Sequence, residues 1–275
     1  MRILITGANG QLGTELMKVL EGYEVHGFNK DQLDITNPNN VRECMENIEP
    51  DVVIHCAAYT NVDGCESNVD LAYKINASGA GYVATECLKI GSAMVYVSTD
   101  YIFNGQKGQP YYEFDKPNPI NTYGKTKLAG EEIVRSTLKR HYIARTAWLY
   151  GTQGKNFVKT MLQLAETQKN INVVNDQTGS PTNVLDLARA IKLLIESKKY
   201  GTYHVTNSGS CTWYEFAKKI FELRGIEIEV NPLTTDQLDR PAKRPKNSVL
   251  KNFNLEANLK YSTRSWEEAL KEYLS

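Results

Sequence analysis

The sequence predicts an α/β protein: a doubly wound parallel sheet carrying a smaller α/β lobe. Three observations carry that expectation. Short apolar runs alternate with amphipathic helical patterns from residue 1 to about residue 170, the mark of βαβ units. A turn containing three glycines joins the first run directly to the first helical pattern. Beyond Gln177 the pieces become shorter and less regular. The expected division is a sheet domain over residues 1–175 and a lobe over 176–275, interleaved with it.

Arg2-Ile3-Leu4-Ile5 suits a buried parallel strand. Gly7, Gly10 and Gly13 follow, and Leu12, Leu16, Val19 and Leu20 begin a helical stripe at once. Strand, glycine turn and helix together form the context of a dinucleotide fingerprint of the Rossmann type. Backbone N–H groups approach a pyrophosphate there, and the helix N-terminus favours its charge. Gly10, Gln11 and Leu12 are the expected pyrophosphate contacts. Further strands are expected at Glu24–Phe28, Val52–His55, 93–97, 142–145 and 172–174. Helices are expected at 12–20, 41–48, 70–90, 123–138 and Phe157–Thr167. In the tail the patterns predict helices Val184–Ser197, 213–223 and Trp266–Leu274, with strands at 202–205 and 227–230.

Tyr123 and Lys127 stand four residues apart, one turn above each other on a helix face. A free phenol titrates near ~10 and is a poor acid–base group at neutral pH. A neighbouring ammonium stabilises the phenolate and lowers that value, so the pair can hand a proton to a carbonyl oxygen. Such a spacing alone describes a solvent-facing couple more often than a site; the fingerprint upstream raises its weight. The strand expected at 93–97 ends at Ser98-Thr99-Asp100-Tyr101, where open parallel sheets place their ligands. Thr99 there can orient a keto group. After the second strand come Phe28-Asn29-Lys30-Asp31. An acid at this turn selects NAD and a cation selects NADP. Asn29 carries no charge, and Asp31 offsets Lys30, so use of both NADH and NADPH is expected.

Composition narrows the classes. The 275 residues include 32 basic and 32 acidic side chains, which argues against a nucleic-acid face. No apolar run approaches the ~18 residues of a membrane span, and the N-terminus enters the first strand without a signal-peptide pattern. Five cysteines form no CxxC pair, consistent with reduced thiols in the cytoplasm. The four histidines show no metal-ligand spacing, so no metal is expected.

These motifs are similar to those of the extended short-chain dehydrogenase/reductases that act on nucleotide sugars, and within them to the dTDP-4-dehydrorhamnose reductases. The G-x-x-G-x-x-G spacing, Ser98-Thr99-Asp100-Tyr101-Ile102-Phe103 and Tyr123-Gly124-Lys125-Thr126-Lys127 carry the resemblance. So do Cys56-Ala57-Ala58-Tyr59-Thr60-Asn61-Val62-Asp63, Arg145-Thr146-Ala147-Trp148-Leu149-Tyr150, Asp176-Gln177-Thr178-Gly179-Ser180-Pro181-Thr182 and Arg244-Pro245-Lys246-Asn247-Ser248. It implies reduction of a sugar 4-keto group by NADH or NADPH, in a monomer or homodimer that builds cell-surface sugars. Tyr123 would donate the proton, Lys127 would also bond the nicotinamide ribose, and Thr99 would orient the substrate. Asn29, Asp34 and Ile35 would meet the adenosine, and Ala57, Ala58 and Tyr59 would lie along the cofactor. Asn61, Asp100, Tyr101, Trp148 and Arg244 would face the nucleotide sugar, and Asn76 would shape the active-site helix. Sugar dehydratases resemble this chain up to Asp100 but continue with a glutamate where Tyr101 stands, which argues against water elimination. Two other readings stay open: another nucleotide-sugar reductase or epimerase, and a cofactor-binding regulatory subunit resembling that of methionine adenosyltransferase.

Overall fold

The computed structural model describes all 275 residues. Its centre is a six-stranded parallel sheet built from β1 (Arg2–Thr6), β2 (Glu24–Phe28), β3 (Val52–His55), β4 (Ala93–Thr99), β5 (His141–Thr146) and a sixth strand, Gly201–His204. From one edge the order is β2, β1, β3, β4, β5 and then the sixth strand. The chain moves outward from β1 to β2, crosses back past β1 to β3, and continues in that direction. The reversal opens a crevice beyond the carboxyl ends of β1 and β3.

Strand side chains alternate between two buried faces, as a sheet covered on both sides requires. Ile3, Ile5, Val52 and Ile54 pack with Leu12 and Leu16 of the Gln11–Val19 helix and with Leu187 and Ile191 of Val184–Ser197. Leu4, Val53, Met94 and Tyr96 pack with Val41, Met45, Val83 and Val134 from the helices Pro38–Ile48, Ala80–Ile90 and Thr122–Thr137. A separate lobe core gathers Tyr150, Phe216, Ile220, Trp266 and Leu270.

Three expected elements take different forms. Asn170–Val174, expected in the main sheet, pairs instead with Glu229–Leu233 in a two-stranded parallel ribbon. Its inward residues Ile171 and Val173 belong to the lobe core, and that burial draws it away. The segment expected at 202–205 in the lobe is the sixth strand of the main sheet, in register with Tyr142 to Arg145. Tyr203 and Val205 are buried against the main core. The single helix expected over 70–90 is divided: Val69–Tyr73, a widened π-turn Lys74–Gly79, then Ala80–Ile90. The wide turn coincides with buried Asn76, whose amide is taken up by Tyr59 and Thr126. No helix is long and apolar enough to cross a membrane.

Candidate active site

A cavity of about 840 Å³ fills the crevice. On one side lies the glycine turn. Gly7 has φ +70°, and a Cβ there would stand 2.9 Å from Ala57 N; at Gly13 it would stand 2.3 Å from Gly7 O and 2.6 Å from Ala8 Cα. The glycines therefore permit a turn in which backbone packs directly on backbone. The helix Gln11–Val19 starts from Gly10 without a side-chain cap. Its first N–H groups are free for an anion at the cavity wall. Asp34 and Ile35 line the cavity beyond β2, and Ala57 and Ala58 beyond β3. Hydrogen bonds from the Thr36 backbone and hydroxyl hold the Asp34 carboxyl below its usual range.

The facing side carries the expected proton-transfer group. The Asn121 side chain caps the Thr122–Thr137 helix by accepting from Gly124 N at 2.8 Å. Tyr123 thus sits in the first turn. A Cβ on Gly124 would stand 2.1 Å from Tyr101 O, so this glycine lets the helix start press on the loop after β4. The rings of Tyr123 and Tyr101 meet edge to face with centroids 6.0 Å apart. Burial raises the Tyr123 phenol above its ordinary value; Asp100 adds to the rise, and a hydrogen bond with Thr99 opposes it. Asp100 is itself pushed up to about 6 by burial, against a bond from the Thr99 hydroxyl at 2.9 Å.

Lys127 behaves differently from expectation. Its ammonium lies 4.1 Å from the centroid of the Tyr96 ring, and the nearby charge that acts on Tyr123 comes from Asp100. The phenol is raised, not lowered: burial is the largest cause, and Asp100 adds to it. Burial also brings the Lys127 ammonium down to about 7, with Glu131 opposing the fall.

Of the residues expected at the sugar, Thr99, Asp100, Tyr101 and Trp148 line the cavity. Trp148 adopts φ +47°, a strained backbone for a bulky residue. Its indole stacks on Trp213 with centroids 3.4 Å apart and planes 8° apart. Four expected contact residues do not line the cavity. Asn29 closes its own turn by accepting from the backbone N–H of Asp31 and Gln32, and Lys30 takes its place on the cavity wall. The Tyr59 backbone is bound to Asn76. Asn61 caps the Val62–Ser67 helix by accepting from Gly64 N. Arg244 forms a two-pronged ion pair with Asp63, at 2.9 and 2.7 Å, which holds the Asp63 carboxyl below its usual range. Asn29 and Asn61 are taken up by nearby backbone N–H groups, while Arg244, held by Asp63, also reaches the Tyr101 phenol on the cavity wall.

The RmlD substrate binding domain model matches residues 1–275. The chain belongs to that family. The spore coat polysaccharide biosynthesis protein SpsK of Bacillus subtilis is 47% identical, covering 99% of this chain and 96% of its own length. A dTDP-4-dehydrorhamnose reductase of Clostridium acetobutylicum superposes with a TM-score of 0.98 at 51% identity, covering 100% of this chain and 98% of that one. The Bacillus anthracis dTDP-4-dehydrorhamnose reductase, solved in complex with NADP, gives 0.97 at 47% identity over 99% and 98%. The family match runs through the fingerprint, the Tyr123 helix and the lobe alike.

Two residues at this site gave no sequence signal. Trp213 opens a helical pattern and reads as a core aromatic, yet it lines the cavity with Trp148. Tyr96 lies inside a strand and reads as core, yet it meets Lys127. The glycine contacts make one test direct. Gly13→Ala is expected to destabilise the protein by about 1–3 kcal/mol, because the added methyl meets backbone that cannot rotate away. Nicotinamide binding should weaken with it. Thermal melts with and without cofactor measure both, and an unchanged melting temperature would mean the turn relaxes freely.

Proposed function

We propose that the chain is an NAD(P)H-dependent dTDP-4-dehydrorhamnose reductase, converting dTDP-4-dehydro-L-rhamnose to dTDP-L-rhamnose. The observation that carries this reading is Thr99, Tyr123 and Lys127 on one cavity with the glycine turn. The uncapped helix start at Gly10 on the cavity wall, held in a turn that Gly7 and Gly13 pack backbone on backbone, fits a pyrophosphate. Gly7, Gly10, Gln11, Leu12 and Gly13 would hold it, with Asp34 and Ile35 at the adenosine and Ala57 and Ala58 alongside. When bound, the reduced nicotinamide supplies the hydride.

Thr99 hydrogen-bonds the keto oxygen and sets its orientation. Tyr123 gives that oxygen its proton, while the Lys127 ammonium supports the phenolate left behind and bonds the nicotinamide ribose. Tyr101 and Trp148 face the sugar, and Arg244 serves its diphosphate from the loop tied to Asp63. Tyr101 stands in place of a dehydratase's glutamate, and burial raises its phenol further above the ordinary value. It is a poor base for drawing a proton from carbon. The sheet domain over about 1–175 would carry the cofactor, and the lobe over 176–275 the sugar. The two are interleaved: Val184–Ser197 and Gly201–His204 belong to the sheet domain and Asn170–Val174 to the lobe. All five cysteines are unpaired, which supports a reducing, cytoplasmic setting for a monomer or homodimer.

The deciding assay follows loss of reduced nicotinamide when the ketosugar is added. Binding of cofactor without turnover would overturn the reading in favour of a regulatory subunit. The same assay measures cofactor choice. Lys30 is exposed, and an exposed cation contributes about 1 kcal/mol at most, less than a factor of ten. NADH and NADPH are expected to give kcat/KM values within about one order of magnitude. A hundredfold preference either way would mean that the Asn29–Lys30 turn selects one ribose form.

A further inference from the structure

Lys127 is 3% exposed, and a buried ammonium needs a compensating partner to stay charged. Its neighbour at 4.1 Å is the face of the Tyr96 ring. The seat is built from several elements. Tyr96 lies on β4, three residues before Thr99, and is wholly buried. Its hydroxyl points at two carbonyls, Asn76 O at 2.9 Å and Lys127 O at 3.3 Å. The first fixes the ring to the widened turn, and the second to the backbone of the lysine it faces. A Cβ on Gly130 would stand 2.3 Å from the Tyr96 hydroxyl, so only glycine at that position lets the helix settle this close. His55 on β3 stacks along the same ring at 5.9 Å with planes 15° apart.

The charges around the helix leave the ring a distinct task. Burial pushes His55 down to about 3 and the Cys56 thiol up to about 12, so both are neutral near pH 7. Glu131, one turn along the same helix, opposes the fall of the Lys127 ammonium through its charge, while its direct ion pairs are with Arg145 at 2.7 Å and Arg135 at 3.4 Å. The group in contact with the ammonium is the ring. Asp100 acts on Tyr123, and Glu66 accepts from the Thr122 backbone and hydroxyl. The electron-rich face of an aromatic ring attracts a cation most strongly where water is excluded.

We propose that Tyr96 is a positioning residue for this reaction: its ring face seats the Lys127 ammonium, sustains its charge within the core, and sets its place one turn from Tyr123. The proposal rests on the role given to Lys127 above, but it concerns the state of the lysine itself and can be tested without substrate.

The test is an NMR titration of the whole protein carrying lysine labelled with 13C at Cε. The Lys127 signal is identified by its loss in Lys127→Met. In the unaltered protein it should titrate near neutrality, well below ordinary lysines. Tyr96→Phe keeps the ring face and removes only the hydroxyl, so its titration should stay close to the original. Fluorinated phenylalanines at position 96 keep the shape while draining electron density from the face. They should lower the Lys127 midpoint in steps, reaching about one pH unit with three fluorines. A midpoint unmoved by fluorination would overturn the proposal, and so would a full shift in Tyr96→Phe, which would credit the hydroxyl instead. Failure of the reductase reading would appear separately, as absence of ketosugar turnover with this titration intact.

Discussion

Tyr123→Phe is expected to lower kcat by about 10²–10⁴-fold, the range for loss of a general acid. The replacement keeps the ring, so the edge contact with Tyr101 and the helix start capped by Asn121 remain in place. Only the transferable proton disappears. Cofactor affinity should therefore change little, and kcat and kcat/KM should fall together, the sign of an interaction made in the transition state. Lys127→Met should differ by weakening cofactor binding as well as rate, because the ammonium has two tasks. Steady-state kinetics with fluorescence titration of the reduced cofactor separates the two variants. Near-normal turnover without the hydroxyl would remove the central chemical claim.

Glu131→Gln should cost about 3–5 kcal/mol of stability, the range for breaking a buried ion pair on one side. Glu131 is 0% exposed and Arg145 2%. Their contacts are close and multiple: Arg145 Nη2 to Oε2 at 2.7 Å and Nε to Oε1 at 3.0 Å. Arg145 also donates to Glu113 O at 3.2 Å. The pair ties the Tyr123 helix to the end of β5. Amide replacement leaves the guanidinium buried without its counter-charge. As a control, Lys251 and Glu256 pair at 2.7 Å with side chains 40% and 39% exposed. Glu256→Gln should cost less than about 1 kcal/mol, because solvent screens the pair. Urea unfolding of both variants makes the comparison, and equal losses would show that burial is not what gives the Glu131 pair its weight.

The two variants probe different levels of one helix. Tyr123 and Lys127 present chemistry at its cavity end, while Glu131 secures it against β5. Loss of the first should leave a folded, inactive protein. Loss of the last should lower stability and, by removing a charge that supports the Lys127 ammonium, also let that ammonium lose its proton more readily.

The sequence by itself determined the features set by local pattern. The apolar run Val52–His55 placed β3 at its observed bounds, since a parallel strand buried on both faces has few alternative readings; the edge strand β2 was also placed at its bounds. Glycine spacing located the turn at Gly7 to Gly13, and helical spacing put Tyr123 above Lys127 on a helix that the structure contains. Tertiary structure decided everything that depends on which groups meet across the chain. It moved Gly201–His204 into the main sheet and Asn170–Val174 into the lobe, because each segment's apolar side chains fit only one of two cores. It turned Arg244 toward Asp63 and Asn29 toward its own turn, since a polar group takes the first partner within reach. It also set the environment of the Tyr123–Lys127 pair. The spacing of the pair implies a lowered phenol, yet burial raises it, and the lysine rests on a ring contributed by a strand 31 residues earlier. Periodicity records which face a residue occupies, while desolvation depends on what the rest of the chain stacks upon that face.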